Sequence, residues 1–196
     1  MQEDLSKYNI VVLGNGNSVK WFIKKYFNIY YNSNIRIVST NSSIILVKSH
    51  YLAIRNKHYR KHRSEVNKAI KISKPYIIME PEQVKFFKPL LFPDIVIKKP
   101  ENPPFRTVGM YAVWACMQMG AKNFILAGFD GNDSKNLKRR YHFHGRGGDR
   151  DRTIRDDINA EYWLSFIYES LINIGGSLKI VTPTIHSLYY NNKFKL

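Results

Sequence analysis

The residues Gly14-Asn15-Gly16-Asn17-Ser18 stand directly behind the apolar run Ile10-Val11-Val12-Leu13 and ahead of a renewed apolar pattern. Two glycines in three positions permit a tight turn and close backbone approach, while Asn15, Asn17 and Ser18 supply neutral donors. At the opening of a helix, where free amides and the helix dipole favour negative charge, such a loop suits a phosphate or a nucleotide. The same residues also suit an ordinary turn and helix cap. Two well-known loops do not fit. Val19 occupies the position of the third glycine of a dinucleotide fingerprint, and Ser39-Thr40-Asn41 ends the second apolar run with no acidic residue for a ribose hydroxyl. No Gly-Lys-Ser/Thr follows the glycines, which removes the Walker P-loop as well. No nicotinamide cofactor is therefore expected.

Two other groupings could do chemistry. Asp149-Arg150-Asp151 has the spacing of an acidic pair that holds a divalent ion and nucleotide phosphates, and His142 and His144 lie nearby. Arginines surround that pair and Gly147-Gly148 precedes it, as in a solvated loop, so no metal site is expected. The run Lys57-His58-Tyr59-Arg60-Lys61-His62-Arg63 is basic with an interleaved aromatic and could neutralise phosphates. No recognised nucleic-acid-binding motif accompanies it, and two other readings are preferred, a solvated basic face or a patch meeting phosphorylated lipopolysaccharide at a membrane surface.

The elements that must position these residues alternate along the chain. Strands are expected at 8–13, 35–39, 51–55, 76–79, 94–97, 123–127 and 178–181. Between them, helices are expected at 18–31, at 64–72, from Pro81 onward, from a Thr107 cap to Met119 with Gly120 as its end, and at 153–174 before Gly175-Gly176. Such alternation predicts an α/β fold: one doubly wound, mostly parallel sheet with helices on both faces. The first loop then lies at the carboxyl edge of the sheet, where such folds bind ligands. Residues 131–152 read as one long irregular insert, of the kind that is usually functional or mobile.

A chain of 196 residues that is 44% hydrophobic is long enough for one core, so residues 1–196 are read as a single domain. No apolar run approaches the ~20 residues of a membrane-spanning helix. The start resembles no signal peptide, and the single Cys116 within an apolar stretch suits a reducing compartment and a buried structural role. A formal charge of +16 calls for an acidic partner, although a Lys-, Asn-, Ile- and Tyr-rich composition alone also produces it.

Four segments together resemble the bacterial sialyltransferases of glycosyltransferase family 42. Val11-Val12-Leu13-Gly14-Asn15-Gly16-Asn17-Ser18 is similar to that family's opening strand and loop, with Asn17 where proline is usual. IVSTNSS, with Asn41, and YLAIRN, ending in Asn56, resemble its next two strand ends. FRTVGMYAVWACMQMGAKNFILAGFD, residues 105–130, is similar to its TSG-containing helix, its G-[YA]-K turn and its strand ending in G-[IF]-D. Residues 57–104 match no motif, and the C-terminal extension of typical members has no counterpart.

The resemblance implies a Rossmann-like, GT-A-like sialyltransferase architecture and metal-independent, inverting transfer of a sialic-acid-like sugar from a CMP donor to a surface glycan such as lipopolysaccharide. CMP-3-deoxy-manno-octulosonic acid is the alternative donor. It further implies donor binding by Gly14, Asn15, Gly16, Ser18, Asn41, Asn56, Thr107, Val108 and Gly109. Thr107 and Gly109 at a helix start leave backbone donors and room for a cytidine or its phosphate. Val108 stands where serine is common, and Asn132 where a tyrosine often follows. Asp130 could orient donor or acceptor, or start an Asx-turn. The expected phosphate donor is Tyr141 and the expected general base is His144. A gapless alignment from Asp156 places Arg152 at the base position, so His144 depends on a lengthened insert, and His186 is its competitor. No cofactor beyond the CMP-sugar, a cytoplasmic location with peripheral inner-membrane contact, and no nucleic-acid partner complete the expectation.

Overall fold

The computed structural model describes residues 3–26, 28–55, 62–87, 91–101, 107–130, 141–142, 145–146, 150–182 and 184. Five helices are present among them: α1 (Val19–Lys25), α2 (Arg63–Ser73), α3 (Pro81–Phe87), α4 (Val108–Gln118) and α5 (Arg150–Asn173). The strands are β1 (Asn9–Leu13), β2 (Ile35–Thr40), β3 (Tyr51–Ala53), β4 (Tyr76–Met79), β5 (Ile95–Val96), β6 (Asn123–Ala127), β7 (Tyr141–His142), β8 (Gly145–Arg146) and β9 (Ser177–Ile180). Seven of these form one sheet in the order β5-β4-β3-β2-β1-β6-β9, and every pairing in it is parallel. The chain winds outward from β1 to β5, returns through α4, and continues on the other side of β1, so the winding reverses between β1 and β6. This is the doubly wound α/β fold expected from the alternating pattern.

The alternating side chains of β1 show why the sheet is covered on both faces. Ile10 and Val12 enter a core with Met110, Ala112 and Cys116 of α4 and Trp163, Leu164, Ile167 and Leu171 of α5. Val11 and Leu13 enter the opposite core, with Val19 and Phe22 of α1. On that same opposite face, Leu52, Ile77 and Met79 pack against Val66 of α2 and Phe87 of α3. Most of α4 is buried around its whole circumference, as its uniformly apolar sequence requires of a helix held between a sheet and another helix. Cys116 is fully buried there, and burial pushes its thiol up to about 12.

Several boundaries differ from the sequence pattern. The single helix expected at 18–31 is α1 followed by a 3-10 turn at Ile29–Tyr31. The Ile29 amide reaches back only three residues to the Tyr26 carbonyl, at 3.0 Å, and this tighter path buries Ile29 against the sheet. Residues 131–152 are not wholly irregular: β7 and β8 pair antiparallel within them and α5 opens at Arg150, earlier than expected. No helix among the described residues is long and apolar enough to cross a membrane.

Candidate functional site

Because the sheet strands run parallel, the loops that follow them share one edge. The row across it is Gly128-Phe129-Asp130 after β6, Gly14-Asn15-Gly16 after β1, Asn41 after β2, Arg55 after β3, Glu80 after β4 and Lys99 beyond β5. Two hydroxyls fasten the middle of the row. Thr40 Oγ1 and Ser43 Oγ both donate to the Leu13 carbonyl, at 2.8 and 2.9 Å, which holds the end of β1 against the turn after β2. Asn41 begins that turn with φ of 46°, a left-handed conformation that asparagine tolerates better than most side chains.

The two described asparagines of the expected donor site are both held by their amide oxygens. Asn15 Oδ1 accepts from Ser42 Oγ at 3.3 Å, and Asn41 Oδ1 accepts from the Arg55 backbone amide at 3.3 Å. Their amide nitrogens make no hydrogen bond to described residues, which leaves a donor at each of two adjacent strand ends. Ser42 is thus a site residue that the sequence pattern did not single out. Its only signal was its place directly after Asn41.

Asp130, at the end of the loop after β6, is tied to the first helix. Its carboxylate accepts from the Ser18 amide at 2.9 Å and also from Ser18 Oγ, clasping the start of α1 from 112 positions away. Negative charge at that helix start is therefore supplied by the protein itself. The glycines follow from the same clasp. The Gly14 and Gly16 amides donate to the Ala127 and Gly128 carbonyls at 2.7 and 2.9 Å. A Cβ at Gly16 would lie 2.5 Å from Asp130 Cγ and 2.6 Å from the Gly128 carbonyl oxygen. The close approach these glycines permit is thus between the loops after β1 and β6. Gly128 itself has φ of 76°, and its amide donates to Thr182 Oγ1 at 2.9 Å.

The start of α4 packs against the loop after β6. Thr107 Oγ1 accepts from the Met110 amide at 3.3 Å, as a capping threonine should. The amides of Val108 and Gly109 have no hydrogen-bond partner among the described residues. Gly109 admits the Phe129 ring, whose nearest atom would lie 2.6 Å from an added Cβ. Tyr111, one residue past Met110, donates its hydroxyl to the Ile97 carbonyl at 3.0 Å. Burial raises the Tyr111 pKa, and the nearby Glu80 charge raises it further.

Beyond Asn41 lies an ionic cluster that no sequence motif announced. Glu80 is 2% exposed, with Arg55 Nε 2.6 Å from Oε1 and Lys99 Nζ 3.4 Å from Oε2. A lone acidic residue closing the apolar strand Tyr76–Met79 was the available signal. Among the remaining expected residues, Asn56, His144 and His186 lie outside the described residues, as does Asp149. Tyr141 and His142 are described only as backbone of β7, which pairs with β8 as Tyr141↔Arg146 and His142↔Gly145. Most of the basic run at 57–63 is likewise outside.

The fold and this edge together define a doubly wound α/β protein with a row of polar residues along the carboxyl edge of its sheet, on both sides of the point where the winding reverses. No protein-family model matches the chain, and no curated protein matches it in sequence. Among solved structures it is similar to the sialyltransferase CstII from Campylobacter jejuni, determined in complex with the substrate analogue cytidine monophosphate. The TM-score is 0.58 at 12% sequence identity, over 94% of this chain and 84% of that one. At this identity the likeness concerns the fold.

Proposed function

We propose that this chain is an inverting glycosyltransferase that moves a sialic-acid-like sugar from a CMP donor to a bacterial surface glycan. The supporting observation is that Asn15 and Asn41 end the adjacent strands β1 and β2, next to the point where the winding reverses, and that their amide nitrogens make no hydrogen bond to described residues. The fold shared with a sialyltransferase supports the same reading. Asn15, Asn41 and Asn56 then hold the nucleotide together with the loop of Gly14, Gly16 and Ser18, and the Val108 and Gly109 amides behind Thr107 face its phosphate. No cofactor or metal enters this scheme.

Transfer forms a bond between the acceptor hydroxyl oxygen and the anomeric carbon while the bond from that carbon to the CMP phosphate oxygen breaks. The departing CMP keeps the bonding electrons, and the acceptor proton passes to a general base. His144 is assigned as that base, since an imidazole titrates near working pH, and Tyr141 donates to the leaving phosphate. Asp130 contributes by holding the donor loop in place through Ser18. Peripheral membrane contact belongs to the same reading, with the chain's positive charge favouring an anionic glycan surface.

The deciding experiment incubates the protein with CMP-sialic acid and with CMP-3-deoxy-manno-octulosonic acid, with and without acceptor glycans and EDTA, and measures CMP release. Acceptor-stimulated, EDTA-insensitive release from one donor is expected; absence of release from both overturns the proposal. His144→Ala should bind CMP normally yet lose transfer by roughly 10²- to 10⁴-fold, the usual loss for a general base. Parallel rates for His142→Ala and His186→Ala from about pH 5 to pH 9 identify the base, and near-normal turnover in His144→Ala rejects that residue.

A further inference from the structure

The charges around Glu80 do not balance. Two cations, Arg55 and Lys99, face one carboxylate that is 2% exposed, leaving one positive charge in excess among groups only 15% and 26% exposed. Poorly hydrated charge is costly unless paired. The hydrogen bonding is incomplete as well. Arg55 Nη1 is buried and has no hydrogen-bond partner among the described residues, and Glu80 Oε1 likewise lacks an aligned donor despite its closeness to Nε. A guanidinium has five N–H donors in a planar fork, so a buried Nη1 without an acceptor leaves part of that fork unsatisfied.

Its place is equally specific. The Arg55 backbone amide is tied to Asn41 Oδ1, so the guanidinium begins one strand away from the asparagine pair. Glu80 lies close enough to raise the Tyr111 pKa, which puts the cluster beside the first turns of α4. The Ile97 carbonyl, two residues before Lys99, accepts from Tyr111 and fixes that end of the row.

From these observations we infer that Arg55 and Lys99, braced by the buried Glu80, form a subsite for the carboxylate of the transferred sugar. A single excess positive charge matches a monoanion, and a guanidinium with an unsatisfied donor matches the acceptor oxygens that a carboxylate supplies. The subsite makes an acidic sugar, rather than a neutral one, the preferred donor. This rests on the CMP-sugar reading of the same edge.

Calorimetric titration of wild-type protein, Arg55→Gln, Arg55→Lys and Lys99→Gln with CMP, CMP-sialic acid and the methyl ester of CMP-sialic acid separates the two readings. Arg55→Gln should weaken CMP-sialic acid by roughly 10- to 100-fold while leaving CMP unchanged, because a charge-assisted hydrogen bond is lost. Arg55→Lys, which keeps the charge without the fork, should fall between, and Lys99→Gln should show a smaller loss of the same selectivity. On wild-type protein the ester should bind like the Arg55→Gln combination with the free acid. CMP binding to wild type with no selective loss for CMP-sialic acid in either the Arg55 or the Lys99 variants overturns the subsite and leaves the donor reading standing. Wild type that binds neither CMP nor CMP-sialic acid overturns the donor reading, and the subsite with it.

Discussion

The two edges of the sheet carry similar residues in opposite states. At the amino edge, Glu3 accepts from Arg36 Nη2 at 2.8 Å, from Arg36 Nε at 3.1 Å and from the Tyr51 hydroxyl at 2.6 Å. Burial alone pushes Glu3 up, but the hydrogen bonds from Arg36 and Tyr51, with the Arg36 charge, outweigh it and hold the carboxyl down to about 2. Arg36 also stacks over Tyr8, 3.7 Å from the ring centroid, and bonds two carbonyls. One acid there is matched by one base. At the carboxyl edge Glu80 is more deeply buried, meets two bases, and leaves Arg55 Nη1 without a partner among the described residues. The closed network at the amino edge ties β2 and β3 to the start of the chain, whereas the cluster at the carboxyl edge leaves one positive charge uncompensated among the described residues.

The sharpest break in that comparison is Glu80→Ala, which leaves Arg55 and Lys99 facing each other without an anion. Loss of one partner from a buried pair costs about 3–5 kcal/mol, so urea unfolding should show the largest destabilisation of any variant considered. A loss no greater than that of Glu3→Gln would show that the two clusters do the same work. Next come the asparagines. Asn15→Ala, Asn41→Ala and Asn56→Ala should each weaken CMP by about 1–3 kcal/mol by calorimetry. Unchanged CMP affinity in all three, with circular dichroism unaltered, would remove the nucleotide from this edge.

Glu3→Gln should act in the opposite sense, lowering stability by about 1–2 kcal/mol once water's screening of a partly exposed pair is counted, with CMP affinity unchanged. The pH dependence follows from the direction of its shift. Glu3 ionises more readily folded than unfolded, so its contribution is complete above its ordinary value of 4.5 and is lost as pH falls towards about 2. Melting temperature measured over that window should fall less steeply in Glu3→Gln than in wild type.

The smallest effect concerns His50, also at the amino edge. Its Nδ1 accepts from the Ile37 amide at 3.0 Å and its ring stacks on Tyr30 with centroids 4.4 Å apart. Burial, then the Arg36 charge, lowers it from 6.5 to about 4, so it stays neutral while the unfolded chain takes up a proton between those values. A histidine resonance titrating near 4 in NMR is expected; an ordinary titration near 6.5 would contradict the packing.

Much of the scaffold was legible in the chain. Apolar runs of strand length alternate with helical periods; Thr107 caps α4 as its residue type predicts, and Gly120 follows that helix with φ of 90°. Cys116 is buried as its apolar neighbours indicated. These features rest on contacts within a few residues, so local pattern is enough to reveal them. Gly14-Asn15-Gly16 was legible as a special loop, but the chain did not show what faced it.

Only the tertiary structure decided that the Gly16 and Gly109 clearances are filled by the protein's own Asp130 and Phe129, and that Ser18 is committed to a carboxylate 112 positions away. It also decided that Arg55, Glu80 and Lys99 meet, although they end three separate segments and share no spacing that a local period could reveal. Parallel strands are paired through long crossovers, so the side chains at their shared edge become neighbours by register rather than by sequence. The alternation of apolar and polar residues determined the layers of this protein. Which charges share the carboxyl edge was settled by the order β5-β4-β3-β2-β1-β6-β9, because that order sets the strand ends side by side.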